Sequence, residues 1–174
     1  MKLNKEDLLL YGVTDSKYLK GRKMSELVEE AILGGVTMIQ LREKEMTHEA
    51  FKQEALDVQN VCQKYHVPLI INDDVELCKE INADGVHIGQ DDLNLKEARK
   101  MLGEDKIIGV SAHNYEEAKI ALENGADYLG VGAIFTTQTK DDAQNISMDT
   151  LNEIGQKVDI PVVAIGGINQ VNIL

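Results

Sequence analysis

Short apolar, β-branched runs alternate with amphipathic stretches along the whole chain. The runs predict strands over Leu8–Thr14, Thr37–Arg42, Pro68–Asn72, Gly85–Ile88, Lys106–Ser111, Tyr128–Gly132 and Pro161–Ile165. Between them, apolar positions at helical spacing predict helices near Lys23–Leu33, Thr47–Tyr65, Asp74–Ile81, Leu95–Leu102, Tyr115–Glu123 and Ser147–Lys157. Thr47 suits a helix cap, and so does Asn114 ahead of Glu116 and Glu117. The helices run out in small-residue turns such as Gly34-Gly35-Val36, Asn82-Ala83-Asp84-Gly85 and Asn124-Gly125-Ala126-Asp127.

Strict alternation of this kind implies parallel strands covered by helices. An open doubly wound sheet would share it. However, no Gly-x-Gly-x-x-Gly turn follows the first strand, and the polar residues are spread over many strand ends instead of gathering at one crevice. The fold class expected is therefore α/β, a TIM (β/α)8-type barrel. Seven strands and six helices fall short of an eight-fold barrel, which usually needs about 200 residues or more. Residues 1–174 are expected to form a single barrel domain that is C-terminally incomplete, lacking its last βα unit.

The 43% hydrophobic content suits one domain with a sizeable core. Eighteen basic against 30 acidic residues give a net charge of −12, which argues against nucleic acid or an anionic membrane as the main partner. A small anionic ligand stays open, because local placement of Arg and Lys decides that. The start lacks an apolar signal region and no run of about 18 apolar residues appears, so the expected location is cytoplasmic. Cys62 and Cys78 fall in separate predicted helices without zinc spacing, and are expected as buried thiols.

The chemistry gathers at the strand ends. In the second strand Met38, Gln40, Arg42 and Lys44 share one face by the period of two, with Ile39 and Leu41 facing the helices. Cations in a barrel mouth call for a bound anion; the plainer reading is a strand whose last residues emerge into solvent. Asn72-Asp73 and Asp91-Asp92 end two consecutive strands, about 5 Å apart if neighbours, so their carboxylates can share one hard cation. Taken singly, Asp73 and Asp91 suit helix caps, and Asp74 a first-turn charge. Ser111 and His113 lie on one face with no third partner for a triad, and His87 reads as a satisfied core histidine. Thr137, Thr139 and Lys140 form a hydroxyl-rich loop with one cation. Gly166-Gly167 would let backbone N–H groups approach a phosphate, or simply turn the chain.

In this order the motifs YGVTD (Tyr11–Asp15), QLREK (Gln40–Lys44), IND (Ile71–Asp73), DGVHIGQDDL (Asp84–Leu93), GVSAH (Gly109–His113), GADYLGVG (Gly125–Gly132), TQTK (Thr137–Lys140) and VAIGGI (Val163–Ile168) resemble thiamine-phosphate synthases over essentially the full chain. That resemblance implies a transferase of thiamine biosynthesis, which joins 4-amino-2-methyl-5-hydroxymethylpyrimidine pyrophosphate to a thiazole phosphate and releases pyrophosphate. It implies that Gln40, Arg42, Lys44, Asn72, Ser111 and Lys140 bind the pyrimidine pyrophosphate, with Arg42, Lys44, Ser111 and Lys140 as the catalytic set. It also implies magnesium on Asp73 and Asp92, and the thiazole phosphate on Thr137, Thr139 and Gly167. The expected partners are these small phosphorylated molecules; homo-oligomerisation is left open.

The chain departs from the family pattern at Asp74, where Arg is common, and at Ala133 and Thr136, where Pro is usual. The family's last strand and its phosphate-binding turn have no counterpart. Two alternatives compete. A thiazole tautomerase-like barrel would place its chemistry on His113 and need no magnesium. A truncated, non-catalytic barrel fragment would act only in binding or association.

Overall fold

The computed structural model describes residues 3–90, 94–136 and 145–173. Seven strands lie in it: β1 (Tyr11–Val13), β2 (Met38–Leu41), β3 (Leu69–Asn72), β4 (Gly85–Ile88), β5 (Ile107–Ala112), β6 (Tyr128–Val131) and β7 (Val162–Ala164). All pair in parallel, each with its neighbours in sequence, from β1 to β7. The helices between them are α1 (Met24–Leu33), α2 (His48–Tyr65), α3 (Val75–Glu80), α4 (Leu95–Leu102), α5 (Tyr115–Glu123) and α6 (Met148–Lys157). The sheet curls until Tyr11 of β1 meets Tyr128 of β6 across the interior, hydroxyl to hydroxyl at 2.7 Å. The result is the expected α/β barrel, nearly closed and without an eighth βα unit among the described residues.

Alternation along each strand sorts side chains into two cores. Ile39, Leu41, Leu69, Ile71, Val86, Ile88, Ile108, Val110, Leu129 and Val131 point outward into the main core beneath the helices. Met38, Ile70, Ile107 and Tyr128 point inward and form a smaller cluster, packed by Leu3, Leu8, Tyr11 and Val163. Met38 and Ile39 therefore take the opposite faces that a period of two demands.

The first strand is shorter than the apolar run Leu8–Thr14 predicts. Leu8 closes a 3-10 turn over Lys5–Leu8 and packs on the inner cluster, plugging the barrel floor. Thr37 enforces that turn: its hydroxyl donates to the Asp7 carbonyl at 2.9 Å and accepts from Leu10 N–H at 2.9 Å.

The recurring Ala-Asp element does more than stop a helix. Asp84 accepts from Leu69 N–H at 2.9 Å, and Asp127 from Ile108 N–H at 2.7 Å, so each carboxylate pins the start of the neighbouring strand. Arg99 of α4 reinforces the second pin. Its guanidinium donates to Asp127 at 2.7 Å and to the carbonyls of Gly103, Lys106 and Gly125. Thr47 and Asn114 cap α2 and α5 as their positions predict. Cys62 and Cys78 are free and buried, and burial pushes both thiols up to about 12. No helix among the described residues is long and apolar enough to cross a membrane.

Candidate active site

The C-terminal strand ends are laced together by bonds that cross from one strand to the next. Arg42 N–H donates to Thr14 Oγ1 at 2.9 Å, Asp73 N–H donates to the His87 carbonyl at 2.8 Å, and the Gln90 amide donates to the Ser111 carbonyl. A cavity of about 430 Å³ opens beside the ends of β2 and β3, lined by Glu43, Lys44, Asn72, Asp73, Asp74 and Phe51 among others. Lys44 and the Asn72-Asp73 pair, distant in sequence, thus meet at one site.

Only Met38 and Gln40 keep the face assigned to the second strand. The strand ends at Leu41, so alternation no longer sets where Arg42 and Lys44 stand: Arg42 is half-buried on the rim and Lys44 exposed at the cavity. The ion pairs of the described residues engage Arg22, Lys52, Lys64, Arg99 and Lys157, together with His48 and His113. Arg42 and Lys44 are in none of them, although the protein carries twelve more acidic than basic side chains.

Helix capping separates the two aspartates after β3. The cap of α3 is Asp74, whose carboxylate accepts from Leu77 N–H at 2.8 Å. Capping by Asp73, which its position suits when taken singly, is thereby corrected. Asp73 has a left-handed φ of 62°, which shifts the helix start by one residue, and its exposed side chain lines the cavity beside the Asn72 amide.

Ser111 is half-buried on the inner face of β5, where its Oγ meets His87 Nε2 at 3.0 Å. His113 does not share that face. The strand ends at Ala112, and both the backbone N–H and Nδ1 of His113 meet Glu117 Oε2 at 2.9 Å. Burial would raise the Glu117 carboxyl, but those bonds outweigh it and hold the group below its ordinary value. Gly167 follows β7 with φ 63° and packs so closely on the preceding loop that a Cβ there would stand 2.7 Å from the Thr136 carbonyl oxygen. Asp92, Thr137, Thr139 and Lys140 lie outside the described residues.

Sequence reasoning missed how fully polar groups occupy the barrel interior. Gln40 Nε2 donates to Tyr11 Oη at 2.8 Å, Tyr11 meets Tyr128, and Tyr128 Oη meets His87 Nδ1 at 3.0 Å. Together with Ser111 this is one continuous chain of hydrogen bonds. The available signal was glycine at inward positions 109 and 130. A Cβ on Gly109 would stand 2.0 Å from the Tyr128 ring, and one on Gly130 2.9 Å from His87.

Glu43 of the cavity wall has an unfavourable neighbour in Glu54 of α2. Glu43 Oε2 and Glu54 Oε1 are buried without a hydrogen-bond partner. Desolvation, and then the Glu43 and Asp57 charges, raise the Glu54 carboxyl above its ordinary value. A raised carboxyl favours the fold below its unfolded value and disfavours it as pH rises through the folded one. Glu54→Gln is therefore expected to stabilise the protein by about 1 kcal/mol at pH 7, a figure already reduced for partial solvent access, and by nothing near pH 4. Urea unfolding at the two pH values measures both, and equal effects would contradict the assignment.

The family described as Thiamine monophosphate synthase matches residues 10–174. The chain belongs to that family. A thiamine-phosphate synthase from Clostridium acetobutylicum is 57% identical over 166 residues, covering 95% of this chain and 79% of the relative. One from Clostridium tetani is 53% identical over 167 residues, covering 96% and 80%. The solved thiamine phosphate pyrophosphorylase from Pyrococcus furiosus superposes with a TM-score of 0.88 at 37% identity, over 97% of this chain and 80% of that one. In this thiamine monophosphate synthase family member the motifs at Gln40–Lys44, Ile71–Asp73 and Gly109–His113 fall on the strand ends that carry the cavity and the inner polar chain.

Proposed function

We propose that this chain is a thiamine-phosphate synthase, joining the aminopyrimidine pyrophosphate to the thiazole phosphate and releasing pyrophosphate. The observation that carries the reading is the position of Arg42 and Lys44 at the mouth of an acidic barrel, in no ion pair among the described residues, with Lys44 in the same cavity as Asn72 and Asp73. Cations placed this way are suited to a polyanionic ligand.

In this reading Gln40, Arg42, Lys44, Asn72, Ser111 and Lys140 hold the pyrimidine pyrophosphate. Thr137, Thr139 and Gly167 face the thiazole phosphate. The carbon–oxygen bond to pyrophosphate breaks first, and pyrophosphate leaves with the electron pair. The positive charge left on the pyrimidinyl-methyl carbon is spread by the ring amino group, and the thiazole nitrogen lone pair then forms the new carbon–nitrogen bond. No nucleophilic side chain is needed. The protein positions two ligands and neutralises charge on the departing group, the work of Arg42, Lys44 and Lys140.

Magnesium fits the donor chemistry. It prefers one or two carboxylates with ligand phosphate oxygens, and the Asp73 carboxylate stands beside Asn72 and Lys44 at the cavity. Asp73 and Asp92 would hold it, and it would supply positive charge opposite the leaving pyrophosphate.

Calorimetric titration of the aminopyrimidine pyrophosphate into the protein tests the reading. Binding is expected with magnesium and is expected to weaken strongly without it. A folded protein that takes up no ligand in magnesium would overturn the proposal. The tautomerase alternative would use His113, whose Nδ1 meets Glu117 Oε2 at 2.9 Å, and it predicts no dependence of ligand binding on magnesium.

A further inference from the structure

We propose that the inward-facing chain Gln40–Tyr11–Tyr128–His87–Ser111 is a one-way hydrogen-bond relay, which presents an acceptor at Gln40 and a donor at Ser111 and so selects an aminopyrimidine over an oxopyrimidine. Tyr11, Tyr128 and His87 are then positioning residues, acting through the two residues that meet the ligand. The inference rests on the synthase reading and adds to it the origin of its specificity for the pyrimidine ring.

Direction follows from proton inventory. The Gln40 amide N–H donates to Tyr11 Oη at 2.8 Å, so the single Tyr11 hydroxyl proton is left for Tyr128, 2.7 Å away. Tyr128 in turn gives its proton to His87 Nδ1 at 3.0 Å. A neutral His87 accepting at Nδ1 carries its proton on Nε2, which donates to Ser111 Oγ at 3.0 Å. The Ser111 proton is thereby turned away from His87 and becomes a donor, while Gln40 keeps its carbonyl oxygen as an acceptor. An imidazolium would donate to Ser111 as well, so the far end keeps its sense in either charge state. Each bond polarises the next, which makes the direction cooperative.

Two further observations show that the chain is built into the fold. Burial raises both phenols above their ordinary range, so the two tyrosines stay protonated and able to donate. Glycines at 109 and 130 leave the interior space that the Tyr128 and His87 rings fill, where barrel interiors are ordinarily packed with branched apolar side chains. The aminopyrimidine edge offers an amino donor beside a ring-nitrogen acceptor. An oxopyrimidine offers the reverse, a carbonyl acceptor beside a ring N–H. A site with fixed acceptor and donor leaves polar groups opposed to the wrong ring and rejects it.

The test uses Tyr128→Phe, which keeps the ring and removes the middle link. Nitrogen NMR of labelled imidazole in the unliganded wild type should show His87 protonated at Nε2, and Tyr128→Phe should shift it toward the Nδ1 tautomer. In magnesium, the wild type should bind the aminopyrimidine pyrophosphate at least about a hundredfold more tightly than the 4-oxo analogue. Tyr128→Phe should reduce that ratio about tenfold while leaving affinity for inorganic pyrophosphate unchanged. Tyr11→Phe removes the hydroxyl that orients the Gln40 amide, so it should reduce the ratio from the Gln40 end while leaving the His87 tautomer unchanged, and it serves if Tyr128→Phe does not fold. A wild-type His87 protonated at Nδ1 alone, or an unchanged ratio in the folded variants, would overturn the relay and leave the synthase reading standing. A wild type that binds neither pyrimidine would remove both.

Discussion

Replacing Asp73 by asparagine is expected to lower magnesium-dependent formation of thiamine phosphate by about a hundredfold, with little change in melting temperature. The structure separates charge from scaffold at this position. The α3 cap belongs to Asp74, so the variant leaves the helix end intact. Asparagine also tolerates the left-handed φ of 62° that Asp73 adopts, so the backbone has no reason to move. What changes is one negative charge at the cavity. Initial-rate assays across a magnesium series, with thermal unfolding alongside, measure the two effects separately. Asp74→Asn is the control: asparagine caps as well as aspartate, and activity should stay within a few-fold of wild type. Full activity in Asp73→Asn would remove Asp73 from the metal-binding role.

A large loss of stability is expected on substituting Gly109. In Gly109→Ala the new methyl group would lie 2.0 Å from Tyr128 Cζ and 2.3 Å from its hydroxyl oxygen, far inside van der Waals contact. Tyr128 is fully buried among Met38, Ile70 and Ile107, so its ring has nowhere to retreat. Overpacking of this kind costs about 3 kcal/mol, and here it also pushes on the bonds to Tyr11 and His87. Denaturant unfolding measures the loss. Adding Tyr128→Leu, which shortens the opposing side chain, should recover part of it. A Gly109→Ala protein as stable as wild type would mean that the strand shifts to admit the methyl group.

Much of the frame was legible because it depends on local pattern. Period-two alternation separates Ile108 and Val110 from Ile107 and Ser111, and helical spacing places α1 to α6 within a residue or two of their observed ends. Legibility failed where a strand stops. Arg42, Lys44 and His113 all lie beyond a last paired residue, so the alternation that placed them on a face had ended. One left-handed residue moved the α3 cap from Asp73 to Asp74, a shift that composition does not signal. The inner polar chain was the least readable. It joins Tyr11 to Tyr128 across 117 residues and His87 to Tyr128 across 41, contacts that exist only once the sheet has curled. His87 did read as a satisfied core histidine, and so it is; its partners were the hidden part.

The pins at the strand starts have an evolutionary consequence. Asp84, Asp127 and Arg99 fix the frame at the end of the barrel remote from the cavity, through bonds to backbone groups that are present whatever side chains the neighbouring strands carry. Each strand-to-helix loop on the opposite rim can then accumulate substitutions one at a time, altering a single ligand contact while the strand register persists. Mutational tolerance is thereby concentrated on the face where new substrate preferences would arise, and withheld from the face that keeps the barrel in register.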